Sequence, residues 1–176
     1  FTIRDVSGSM SVGNRSELAF SASYWLHLWI EHCYKGKHEP VYILHDHTAW
    51  ESTEHEFRTA DSGGGTDMAA ALRLVAQIIK ERYNPAEWNI YIFHYGDGDC
   101  MSGDLENYLR ALLDLLPDLA LYGYTQVCET SGRDFYYLLD KWREQPKAKE
   151  QIADFIRVAK MTNYDELPQA IRTLLT

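Results

Sequence analysis

At 176 residues, with 45% apolar and 13% aromatic side chains, the chain can bury a core without disulfide or metal staples. A formal net charge of −9 argues against nucleic acid and against an anionic membrane surface as partners, since both call for basic residues. Cys33, Cys100 and Cys128 are odd in number, widely spaced and without a CxxC pair. That excludes a disulfide framework or zinc ribbon and points to core-packing thiols in a reduced, cytoplasmic compartment. No apolar run approaches the roughly 18 residues of a membrane helix; residues 105–121 are broken by Arg110, Asp114, Pro117 and Asp118. The chain opens at Phe1, inside an apolar run and without an initiator Met, and is expected to form one domain over 1–176, the C-terminal part of a longer protein.

In chain order, residues 1–5 predict a short buried strand. Leu18, Ala22, Trp25, Trp29 and Cys33 recur at helical spacing and predict an amphipathic helix over 16–34 with these residues on its buried face. Residues 41–44 (Val-Tyr-Ile-Leu) predict a strand running into His45-Asp46-His47, and 54–60, rich in charge, an edge strand. A glycine run ending at Thr66 opens a helix with Ala71, Leu72, Val75, Ile78 and Ile79 on its apolar face, stopped by Asn84-Pro85. Residues 88–95 predict a strand, 105–116 a helix, 119–127 a strand and 135–143 a helix. A charged connection at 141–150, a strand at 155–161 and a helix at 164–175 complete the chain. About six strands interleaved with helices define an open α/β sheet.

Ligands of open α/β sheets sit beyond the carboxyl ends of the strands. Three polar loops fall there: Asp5-Val6-Ser7-Gly8-Ser9-Met10, the glycines ending at Thr66, and Asp97-Gly98-Asp99. Asp-x-Ser-x-Ser gathers a carboxylate and two hydroxyls on one turn, hard oxygen donors suited to a hard divalent cation. Each loop also has a plainer reading. Asp and Ser make ordinary turns and caps, Thr66 reads as a helix N-cap, and Gly-Asp-Gly-Asp as a turn or half a calcium loop. No Lys follows the glycines, so they are not a Walker loop.

As a set, Asp5-x-Ser7-x-Ser9, Thr66 and Asp97-Gly98 resemble the metal-ion-dependent adhesion site of von Willebrand factor A domains. More narrowly, the chain resembles the bacterial YeaH/YhbH family of unknown function. That likeness rests on residues 5–10, His47-Thr48, Glu54-His55-Glu56-Phe57, Gly64-Gly65-Thr66, Glu81-Arg82-Tyr83-Asn84-Pro85 and Asn89-Ile90-Tyr91. The resemblance implies a three-layer, doubly wound, mostly parallel sheet with one antiparallel edge strand, binding Mg²⁺ or Mn²⁺ at its top. It implies direct ligation by Ser7 and Ser9, water-mediated contact from Asp5 and Asp97, and coordination by Thr66 in one of two states. Hydroxyl ligands leave the cation under-neutralised, so a protein partner's Asp or Glu carboxylate would complete the sphere. The function implied is a non-enzymatic interaction module in a stress- or sporulation-associated bacterial or archaeal protein.

Two positions depart from the pattern. Arg4 stands where an apolar strand residue is usual and is expected to pair with an acid, and Gly96 stands where Ser or Thr is common. His45 and His47 are expected on one strand face, where with His94 they offer a softer Zn²⁺ site or a polar rim. A Mg²⁺-dependent phosphohydrolase with Asp5 as nucleophile is the competing activity, weakened because Ser7 replaces the second Asp of Asp-x-Asp. A vestigial metal site is the third reading.

Overall fold

The computed structural model describes residues 1–61, 63–99, 104–129, 136, 139 and 155–176. Its frame is a six-stranded sheet of β1 (Thr2–Asp5), β2 (Tyr42–His45), β3 (Ala49–Ser52), β4 (Tyr91–Gly96), β5 (Leu121–Gln126) and β6 (Ile156–Lys160). The spatial order is β3-β2-β1-β4-β5-β6; every neighbouring pair is parallel except β2–β3. Helices α1 (Arg15–Tyr34), α2 (Glu54–Thr59), α3 (Met68–Arg82), α4 (Asp104–Leu115) and α5 (Leu167–Leu175) cover it. The fold class expected from sequence, a doubly wound sheet with one antiparallel edge strand, holds.

Covering both faces removes the inner strands from water, which is why they read as continuous apolar runs. On one face, α3 and α4 pack Leu72, Val75, Ile79 and Leu112 against Ile3, Ile43, Ile92 and Tyr122. On the other, α1 and α5 pack Leu18, Ala22, Leu26 and Leu174 against Phe93 and Tyr95. The chain winds outward from β1 through β2 on one side and from β4 through β5 on the other. The β1/β4 boundary is therefore the point where strand order reverses, the usual place for a ligand crevice.

Several local expectations are corrected. The buried face of α1 is Leu18, Ala19, Ala22, Ser23 and Leu26, while Trp25 and Trp29 remain 54% and 43% exposed and Cys33 is exposed rather than a core thiol. Small side chains at 19, 22 and 23 let the helix backbone approach the sheet, so the true face is rotated away from the indoles. Residues 54–59 form α2 instead of an edge strand. Thr53 caps it: its hydroxyl accepts from Glu56 N–H at 3.2 Å, and its own N–H donates to Glu56 Oε2 at 2.8 Å. The edge strand is β3, turned back on β2 by the 46–48 loop, with His45 opposite Ala49. The N-cap of α3 is Asp67, whose Oδ1 accepts from Ala70 N–H at 3.0 Å, so Thr66 does not cap. The helix predicted at 135–143, the connection at 141–150 and Cys100 lie outside the described residues, apart from Tyr136 and Leu139. Among the described residues no helix is long and apolar enough to cross a membrane.

Candidate functional site

Asp5 ends β1, and its side chain shares a sheet face with its register partner His45, because in-register residues of parallel strands point the same way. The carboxylate is buried, and Oδ1 accepts the Ser7 N–H at 2.7 Å, closing a tight turn two residues on. Ser7 occupies the N-cap position of a 3₁₀ turn (Gly8–Ser11), yet its side chain makes no capping bond. Its hydroxyl lies 3.2 Å from that of Ser9 instead. The plain capping explanation of the first serine therefore fails.

Asp97 follows β4 and is equally buried. Its Oδ1 accepts the Asp99 N–H at 3.0 Å, the same two-residue turn that Asp5 makes. Its Oδ2 accepts from Arg15 Nη1 at 2.8 Å, and that nitrogen also donates to the Ser9 carbonyl at 3.0 Å. One guanidinium nitrogen thus spans the first and third loops. The glycine loop is fastened to the same end of the sheet by two backbone bonds. Gly8 N–H donates to the Gly64 carbonyl at 3.0 Å, and Asp67 N–H to the Asp46 carbonyl at 2.6 Å. Half-buried Thr66 lies between those two anchors.

Two glycines sit within this crowding, Gly64 under a direct clash and Gly96 under a tight contact. A Cβ on Gly64 would stand 2.6 Å from Asp46 Oδ2 and 2.8 Å from His47 Nδ1. A Cβ on Gly96 would stand 3.2 Å from Asp5 Cβ and 3.5 Å from the Tyr124 hydroxyl. A Ser or Thr at 96 would therefore press on the Asp5 side chain, which Gly96 leaves room for.

The floor of the site is buried, with Asp5, His45 and His94 shielded from solvent. Burial pushes the Asp5 carboxyl above the usual range, against the opposing pull of His45 and the Ser7 bonds. His45 and His94 are both buried, with their Nε2 atoms 2.8 Å apart, so one must donate and the other accept. His94 Nδ1 meets the Tyr108 hydroxyl at 3.0 Å, and Tyr108 in turn bonds Tyr122. Burial holds both imidazoles below their ordinary value. The expected pairing of His45 with His47 does not form. β2 ends at His45, and His47 turns outward, its Nδ1 3.0 Å from Asp46 Oδ1. Arg4 points to the opposite face, as strand alternation requires. Instead of an ion pair it donates to Ser16 Oγ at 3.1 Å and to the Ala60 carbonyl at 2.9 Å, over the Phe57 ring. Burial draws its guanidinium down to about 10, with Asp61 and Asp5 opposing.

Of the residues predicted from sequence, Asp5, Ser7, Ser9 and Asp97 come together at the β1/β4 switch point, with Thr66 on a loop tied to the first. The gathered side-chain donors are hydroxyl and carboxylate oxygens, a set that fits a hard cation such as Mg²⁺ or Mn²⁺ rather than Zn²⁺. Among the described residues, no three His, Cys, Asp or Glu side chains cluster as a metal site, so the hydroxyls are indispensable to such a reading. Sequence reasoning missed Arg15, Asp46 and the histidine–tyrosine chain. Asp46 carried a visible signal, an acid directly after an apolar strand; Arg15 carried none.

Comparison with known proteins agrees with this frame. The family described as Protein of unknown function (DUF444) matches over residues 1–176, and the chain belongs to it. Among solved structures, the crystal structure of the ArnB paralog VWA2 from Sulfolobus acidocaldarius superposes with a TM-score of 0.57 at 15% identity. It covers 96% of this chain and 42% of that one, so this chain spans less than half the length of that structure. At such identity the likeness is one of fold, a von Willebrand factor A-like sheet.

Proposed function

We propose that this DUF444 member is a non-enzymatic interaction module that binds a protein partner through a divalent cation. Ser7, Ser9 and Thr66 would hold Mg²⁺ or Mn²⁺, with Asp5 and Asp97 behind them, and an Asp or Glu of the partner would complete the sphere. The observation that carries the reading is the pair of hydroxyls 3.2 Å apart, flanked by two buried carboxylates, with Ser7 serving no cap. The finer likeness to the YeaH/YhbH family supports a cytoplasmic, stress- or sporulation-associated bacterial or archaeal setting. The phosphohydrolase alternative needs Asp5 to reach a substrate phosphorus. Asp5 is buried, and Oδ1 is committed to the Ser7 N–H, which favours a binding role.

The test is calorimetric titration of Mn²⁺ and Mg²⁺ into chelator-stripped protein, beside Ser7→Ala. Saturable one-site binding is expected in the wild type. Losing one ligand should weaken it by about tenfold or more, ~1.4 kcal/mol, with thermal unfolding of the metal-free proteins unchanged. Equal affinity in a folded Ser7→Ala protein would remove the hydroxyl pair from the site.

A further inference from the structure

Arg15 is the first residue of α1, a position where a cation opposes the helix dipole. What holds it there is Asp97, whose side chain is 1% exposed against 28% for Arg15. A carboxylate this buried needs a positive or hydrogen-bonded partner. Asp97 has both: Asp99 N–H at one oxygen and Arg15 Nη1 at the other. The same Nη1 binds the carbonyl of Ser9, whose hydroxyl faces that of Ser7. The guanidinium therefore supplies, from within the chain, positive charge to a carboxylate that a divalent ion on Ser7 and Ser9 would also draw on.

We propose that Arg15 is the resident counter-cation of the site, competing with the divalent metal for Asp97 and so setting the metal affinity. The inference rests on the metal-binding reading of the preceding section. Two effects act in one direction. A cation that draws on Asp97, even through water, weakens the Arg15–Asp97 pair, and the retained guanidinium repels the incoming ion across a poorly screened, half-buried gap. An Arg suits the role because its charge is permanent and the two N–H groups of its Nη1 serve two acceptors at once. The site is thereby kept neutralised at Asp97 when metal is scarce.

The test compares wild type and Arg15→Gln, both chelator-stripped, by calorimetric titration with Mn²⁺, with circular dichroism as the folding control. Arg15→Gln should bind Mn²⁺ about tenfold tighter. Equal or weaker binding by folded Arg15→Gln, with wild type still binding, would overturn the role of Arg15 and leave the metal site standing. Absence of binding in both folded proteins would remove the metal reading, and this inference with it. Should Arg15→Gln fail to fold, the Arg15 Nε–H resonance of the wild type gives the answer by NMR. It should shift as Mg²⁺ saturates the protein; a resonance that stays fixed while backbone signals of residues 7–9 move would overturn the proposal.

Discussion

Three aspartates at strand ends share one local habit. Asp5, Asp46 and Asp97 each accept the N–H two residues on, from Ser7 at 2.7 Å, Thr48 at 2.9 Å and Asp99 at 3.0 Å. Such turns stop a strand and fix a carboxylate at its mouth without any help from a distant residue. The Asp-x-Ser-x-Ser loop was legible for that reason, since its donors are neighbours in the chain. Arg15 was not legible, because its partner lies 82 positions away and only the parallel pairing of β1 with β4 brings them together. Gly96 misleads in the sequence, where it looks like a missing hydroxyl; its role shows only once the Asp5 side chain is seen against it. Gly96→Ala should accordingly destabilise the metal-free protein by about 1 kcal/mol in urea unfolding, because the new methyl would stand 3.2 Å from Asp5 Cβ, closer than ordinary van der Waals contact. An unchanged midpoint would show that β4 can yield there.

At the level of elements, long periodic segments were placed within a few residues, while the short and the two-sided ones went astray. Residues 54–59 are charged, as edge strands often are, yet Thr53 and Glu56 carry a capping box that outweighs charge as a local signal. Thr53→Ala should cost about 1 kcal/mol in denaturant unfolding, and Thr53→Ser should restore most of it. No loss in Thr53→Ala would mean that packing of Phe57 under α2 suffices. In α1, apolar residues on more than one side make spacing ambiguous, and closeness of approach decides. Ala19 and Ala22 face the sheet, and the indoles of Trp25 and Trp29 lie outward.

Across the whole molecule, the sheet puts a buried, hydrogen-bonded chain of His45, His94, Tyr108 and Tyr122 beneath the site. Both histidines have a folded-state pKa depressed by burial. The unfolded chain therefore binds more protons, and their contribution to stability is present above about pH 6.5 and is lost as pH falls below it. Urea midpoints should drop between about pH 7 and 5, and His94→Gln, which cannot be protonated, should flatten that slope. An identical slope in the variant would place the acid sensitivity elsewhere. The central claim, that the β1/β4 crevice is a divalent-cation site, is tested most directly by paramagnetic NMR on the chelator-stripped chain. Substoichiometric Mn²⁺ should first broaden the amide signals of residues 7–10, 64–66 and 97–99, with excess Mg²⁺ restoring them. Broadening spread over the acidic surface, or none near Ser7 and Ser9 at saturation, would contradict it.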